Sequence, residues 1–348
     1  MANTRSISSS RTPAGSIGSA GPANRHMVDP ELRPWLESRS ALTPSAETLL
    51  AYRKMILDMV SALPKPIGEA AMAVRCDEKL IPGPANAPDV RVLVYTPTDS
   101  TAAPWPAYLH IHGGGFVAGT AAMSDPNNRI CAVEMNCVVV SVDYRLAPET
   151  PFPGPVEDCY AALLWLHSNA SALNVEPGRI AIGGESAGAG LAAALCLLAR
   201  DRGIVKPCFQ YLAEPMLDHR SSDSDHHYVG EVGWTREHNR FAWQAMLAGL
   251  SDDTGIPPHA SPARAEDLSG LPPTYIHIGS VDLFLEESLE YARRLTRAGI
   301  VVELHVWPGA YHAFQVVDAH ASRASRTAAK TALRRGLHPH YLDCSRNW

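Results

Sequence analysis

From residue 104 onward, short apolar runs alternate with longer segments whose apolar positions recur at helical spacing. The runs at 107–111, 137–142, 179–182, 208–212, 274–278 and 301–306 predict strands, and the segments 126–135, 156–169, 187–202 and 286–298 between them predict helices. Short apolar strands alternating with amphipathic helices specify a mostly parallel sheet covered by helices on both sides. Upstream, two further strands are expected at 71–76 and 90–96, separated by a Pro/Gly-rich turn at 81–87. Still earlier, residues 29–38 open on Asp-Pro as a helix start. The segment between Thr43-Pro44 and Leu63-Pro64 places Leu49, Leu50, Ile56, Met59 and Val60 near helical spacing.

One stretch breaks the alternation. Between Met216 and Pro273 lie 56 residues, with a helical pattern at 237–250 containing Phe241, Trp243, Met246 and Leu247. Connections in α/β units are far shorter, and insertions of this length are often lids. The expected organisation is a flexible tail at 1–26, cap helices at 27–66, a catalytic domain at 67–215 and 261–340, and a cap insertion at 216–260. The tail is rich in Ser, Gly, Ala and Pro without an apolar h-region, unlike a secretory leader.

Composition narrows the function classes. The chain of 348 residues is 46% hydrophobic and 19% charged, an ordinary globular balance. Its net charge of −6 lacks the basic footprint of a nucleic-acid binder. The longest near-uninterrupted apolar stretch, 188–199, has 12 residues against about 20 needed to span a bilayer, so no membrane partner is expected. Seven scattered cysteines with no C-x-x-C fit reduced thiols in a cytoplasmic protein.

Three motifs carry chemistry. Gly184-Glu185-Ser186-Ala187-Gly188 follows an apolar strand and opens a helix, the context a nucleophile elbow requires. His112-Gly113-Gly114-Gly115 follows the strand 107–111, and its glycines free backbone N–H groups to converge on a small anion. A phosphate loop is the rival, yet neither Gly-Lys-Ser/Thr nor G-x-G-x-x-G is present. His112 is expected to brace this loop. A serine nucleophile needs a base and an orienting acid. Of the fifteen histidines, His312 lies just after the strand 301–306, and Asp282 just after 274–278, on the sheet edge where Ser186 falls. The order Ser186, Asp282, His312 is that of a triad on an α/β-hydrolase sheet. His110-x-His112 together with the Asp/His-rich 218–227 matches no closed zinc set, so no metal and no organic cofactor are expected.

Together with Asp143-Tyr144-Arg145-Leu146-Ala147-Pro148-Glu149, these motifs resemble the α/β-hydrolase superfamily, specifically the bacterial hormone-sensitive-lipase-like esterases, over about residues 70–320. The resemblance implies an α/β-hydrolase fold with a helical cap and a serine carboxylesterase acting on short- to medium-chain acyl esters through an acyl-enzyme. It implies Ser186 as nucleophile, His312 as base and Asp282 as acid, with an oxyanion hole of the Gly114, Gly115 and Ala187 N–H groups. Asp143 and Arg145 would hold the loop beside the site. Departures from the family pattern are Asp282-Leu283-Phe284-Leu285-Glu286 where Asp-Pro-Leu-Arg-Asp is common, His312-Ala313-Phe314 in place of His-Gly-Phe, and Gly188-Ala189-Gly190 in place of Gly-Gly-Asn. They leave Glu286 as a second-choice acid and bear on pocket shape.

Phe116, Trp234, Phe241, Trp243, Phe284 and Phe314 are available to line an acyl pocket or simply to pack the core. The expected partner is a small-molecule ester, with homodimerisation left open. An amidase, arylformamidase or lactone hydrolase would use the same triad. A non-catalytic receptor of the same fold is disfavoured because all three catalytic residues are present.

Overall fold

The computed structural model describes residues 25–38, 42–62, 73–98, 104–224, 226–250 and 255–339. Residues 1–24 of the expected tail lie outside them; Arg25 and His26 open a short 3-10 turn, Arg25–Met27.

The apolar runs pair into one eight-stranded sheet. In chain order the strands are β1 (Val74–Ile81), β2 (Val90–Pro97), β3 (Trp105–Ile111), β4 (Val138–Asp143), β5 (Val175–Glu185), β6 (Phe209–Ala213), β7 (Thr274–Gly279) and β8 (Val302–Trp307). Their spatial order is β1-β2-β4-β3-β5-β6-β7-β8. Only β2 runs antiparallel to its neighbours; from β4 to β8 every pair is parallel.

Two helical layers explain why the central strands are apolar on both faces. The helices are α1 (Arg33–Ser38), α2 (Leu49–Ser61), α3 (Asp125–Glu134), α4 (Gly154–Ser168), α5 (Ala187–Arg202), α6 (Arg236–Met246), α7 (Leu285–Arg297) and α8 (His320–Leu337). Successive strand side chains point to opposite faces. Val92, Val94, Leu109, Ile111, Val140, Ile180, Ile182 and Ile276 therefore meet α4, α5 and α7 on one face. Leu93, Tyr95, Tyr108, Val139, Ala181, Phe209 and Tyr275 meet α3 and α8 on the other. With both faces of its central strands covered, the sheet gathers the ends of its parallel strands on one edge.

Several boundaries differ from expectation. β1 runs on to Ile81, which pairs with Val90, so the turn between the strands spans 82–89 rather than 81–87. Asp77, Glu78 and Lys79 disguise it because β1 is an edge strand, with Glu78 paired to Arg91 of β2. The Asp29 carboxylate accepts the Glu31 N–H in a tight turn, delaying α1 to Arg33. The sequence reading assigns no element after residue 306, yet α8 covers much of one face. No helix among the described residues is long and apolar enough to cross a membrane.

Candidate active site

β5 ends at Glu185 and α5 begins at Ala187, leaving Ser186 alone to make the turn at φ 57°, ψ −122°. Such backbone costs on the order of 1–3 kcal/mol and persists only where the surroundings fix it. Here the Ser186 N–H donates to Ala213 O (2.8 Å), and its carbonyl accepts from Gly190 (3.0 Å) and Met216 (3.2 Å). The flanking glycines answer to one atom: a Cβ on Gly184 or on Gly188 would lie 2.1 Å from the Ile111 carbonyl oxygen. Helix and strand can cross only without those side chains.

The loops after β7 and β8 bring the other two residues to Ser186. His312 Nε2 lies 2.8 Å from Ser186 Oγ, and Nδ1 lies 2.8 Å from Asp282 Oδ2. Asp282 is fully buried, and its Oδ1 accepts the Phe284 N–H at 3.0 Å. An ionised carboxylate only accepts, so Nδ1 carries the proton and Nε2 presents a lone pair to the serine hydroxyl. Glu286 is not brought to His312: the Ser224 hydroxyl donates to it at 2.5 Å at the surface. The second carboxylate beside the imidazole is Glu214, which the sequence reading did not single out; its Oε2 lies 3.8 Å from Nδ1. Its position directly after β6 obeys the strand-end rule that located Asp282, and that was the available signal.

The glycine loop abuts the elbow, since a Cβ on Gly113 would stand 3.4 Å from Ser186 Cβ. Gly114 and Gly115 adopt φ 123° and 63°, where a side chain is strained. Their N–H groups donate to no backbone carbonyl among the described residues. Ala187, first residue of α5, likewise has no intrahelical acceptor for its N–H. Beneath the loop, the His112 ring stacks on Tyr144 at 4.3 Å. His112 Nδ1 donates to Gly113 O (2.7 Å), and the Tyr144 hydroxyl to His112 O (3.0 Å). Burial lowers His112 to about 4, so it remains a neutral brace. Asp143 accepts from the Ala121 N–H (2.8 Å) and from Arg91 (2.9 Å). Arg145 forks onto buried Asp158 at 2.8 and 2.7 Å.

Of the aromatic candidates, two reach the imidazole. Trp234 lies 6.2 Å from the His312 ring, and Phe284 meets it edge-on at 5.1 Å. Trp234 also presses on the glycine loop, where a Cβ on Gly115 would stand 2.3 Å from its Cη2; its Nε1 donates to Asn239 Oδ1 (3.1 Å). The others pack into clusters. Phe116 lies against Trp243 at 5.1 Å. Phe241 joins Leu49, Val117, Ala147 and Ala245, and Phe314 joins Val28, Leu32 and Tyr311.

The one trio of potential metal ligands among the described residues is Glu214, Asp282 and His312, two of them members of the hydrogen-bonded chain itself. His110, by contrast, faces Ser141 (2.9 Å) and Glu185 (3.0 Å).

A nucleophile elbow, a glycine loop and a hydrogen-bonded Ser-His-Asp chain on the edge of this sheet define a class. Residues 108–316 match the family described as the alpha/beta hydrolase fold, and the chain belongs to it, in the hormone-sensitive-lipase-like branch. It is 34% identical over 321 residues to the carboxylesterase NlhH of Mycobacterium tuberculosis, covering 89% of this chain and 97% of that one. The carboxylic ester hydrolase LipN of the same organism is 33% identical over 316 residues, covering 87% and 82%. Among solved structures, a bacterial heroin esterase superposes with TM-score 0.82 at 41% identity, covering 90% of this chain and 98% of that one. The esterase LipW from Mycobacterium marinum gives 0.80 at 31% identity, covering 92% and 99%.

Proposed function

We propose that this protein hydrolyses carboxylic esters of small molecules, with short to medium acyl chains, through Ser186, His312 and Asp282. The observation that carries the reading is the unbroken chain Ser186 Oγ to His312 Nε2 and His312 Nδ1 to Asp282, each link 2.8 Å. Nε2 takes the hydroxyl proton as Oγ attacks the ester carbonyl, and Asp282 stabilises the imidazolium that forms. The developing oxyanion accepts from the N–H groups of Gly114, Gly115 and Ala187. His312 returns the proton to the leaving alkoxide, and the acyl-enzyme on Ser186 is hydrolysed by water activated at the same Nε2. The triad generates its own nucleophile, so no metal or organic cofactor takes part in this scheme.

A cap completes the proposal. Residues 27–66 and 216–260 act together over the site, the remainder forming the catalytic domain. Contacts support this. Arg53 of α2 donates to Val117 O (2.7 Å), Ala147 O (3.0 Å) and Glu149 (2.7 Å), beside the glycine loop. Leu49 of α2 shares a cluster with Ala245 of α6, and Tyr52 meets His238 at 6.4 Å. Enclosure excludes water and strengthens the oxyanion hydrogen bonds.

The test is Ser186→Ala on p-nitrophenyl esters from acetate to palmitate. Turnover falls by at least about a thousandfold with the fold intact, and a fluorophosphonate labels the parent protein at Ser186 alone. Activity that survives the substitution, or labelling elsewhere, overturns the reading.

A further inference from the structure

Glu214 is a buried carboxylate that the proposed reaction does not use. β6 ends at Ala213, and Glu214 turns left-handed at φ 48°. That is an unfavourable conformation for a residue with a Cβ. The turn is held at both ends: its N–H donates to His277 O (2.8 Å), and its Oε2 accepts the N–H of Ala313 (2.7 Å). Ala313 is also left-handed, at φ 65°, and directly follows His312. One hydrogen bond thus ties two strained residues together, one of them adjacent to the base.

The placement is also electrostatic. Glu214 Oε2 stands 3.8 Å from His312 Nδ1, the nitrogen that Asp282 already engages at 2.8 Å. Both carboxylates are buried, and two such groups around one imidazole do not ionise together. Asp282 accepts hydrogen bonds from His312 Nδ1–H and the Phe284 N–H, which leaves Glu214 as the partner that stays neutral. Burial, with the charge of Asp282 adding to it, pushes Glu214 up to about 8 against the pull of His312. The groups facing it are Asp282, His312 and the Gln315 amide on the loops after β7 and β8, Tyr211 on its own strand, and His277 on β7. A neutral acid still offers an oxygen lone pair to the Ala313 N–H, so its hold on the turn needs no charge.

We infer that Glu214 is a positioning residue: a neutral carboxylic acid that fixes the Ala313 turn and thereby aims the His312 ring between Asp282 and Ser186. The inference rests on the triad reading above. Glu214 lies on the Nδ1 side of the ring, away from Oγ, and acts only through His312.

The experiment compares Glu214→Gln, Glu214→Ala and Ser186→Ala on p-nitrophenyl acetate, with kcat of the parent and the Glu214 variants expressed per site titrated by a fluorophosphonate and that of Ser186→Ala, which offers no such site, per mole of folded protein. That normalisation removes any loss of folded protein. Gln keeps the side-chain length and an acceptor for Ala313, so kcat stays within about threefold of the parent. Ala loses the acceptor, so kcat falls at least about tenfold while KM stays within about twofold. The parent shows an ionisation in kcat/KM near pH 8 that Glu214→Gln lacks. A normal kcat per site in Glu214→Ala overturns the inference. So does a Gln variant as impaired as Ala, or one that keeps the ionisation. Activity remaining in Ser186→Ala overturns the triad reading instead, whatever the Glu214 variants do.

Discussion

At Nδ1 of His312 one hydrogen faces two carboxylates, and the surroundings give them different tasks. Asp282 has two donors and no exposure, and its charge fixes the tautomer that leaves Nε2 basic. Asp282→Asn therefore lowers kcat by about 10³–10⁴, whereas Glu286→Gln, at a carboxylate that accepts from Ser224 at the surface, leaves it near the parent value. Steady-state kinetics on the two variants decides between them; the reverse ranking sinks the assignment of the acid. Glu214 leaves a second signature, in stability. Its folded pKa is about 8, raised above its ordinary value of 4.5. Its contribution is therefore fully present below pH 4.5 and is lost as pH rises through 8. The Tm difference between Glu214→Gln and the parent should accordingly grow in favour of the variant from pH 4.5 to 8, then level off. A difference that is flat across that window refutes the neutral-acid assignment.

At the scale of elements, the segment between β6 and β7 meets the site at Trp234. Gly233 turns at φ 73° against the His312 backbone, where a Cβ would meet the carbonyl oxygen at 3.1 Å, and Trp234 then lies across to Gly115. The indole therefore lies against both the His312 ring and the glycine loop. Trp234→Ala should shift the kcat/KM ratio of octanoate to acetate p-nitrophenyl esters upward by about tenfold, within the range one truncated pocket wall gives. An unchanged ratio means that the ring only packs. The central elements were legible because strands buried on both faces must be apolar throughout; Asp282 follows such a run, and His312 follows the half-buried edge strand β8. Other features left weaker traces. β1 hides behind Asp77, Glu78 and Lys79 because an edge strand keeps one side wet. The buried face of α8 is largely Ser322, Ser325, Ala329 and Ala332, small residues that give little hydrophobic contrast. Glu214 occupies a legible position, but a lone carboxylate outside any motif does not announce a partner 99 residues downstream. Nor does spacing distinguish Phe314, which packs behind its loop, from Phe284, which faces the imidazole.

Across the whole molecule, the loop that carries the base is held from far upstream. The Asp29 N–H donates to Gly309 O (3.0 Å), and Tyr311 donates to Leu32 O (3.1 Å). Trp35 stacks on Tyr311 at 5.7 Å, and Val28 and Leu32 bury against Ala310, Tyr311 and Phe314. Removing the chain through residue 63 should therefore lower turnover on every ester, acetate included, and not merely alter chain-length preference. A truncated protein with parental kcat on acetate contradicts this. The same seam orders events during synthesis. The elbow at Ser186 leaves the ribosome well before His312, and the segment at 28–35 must wait for the 309–314 loop to emerge before it has anything to grip. Catalytic competence is thus one of the last properties the nascent chain acquires, by chain order alone, and a half-made protein carries a serine but no working base.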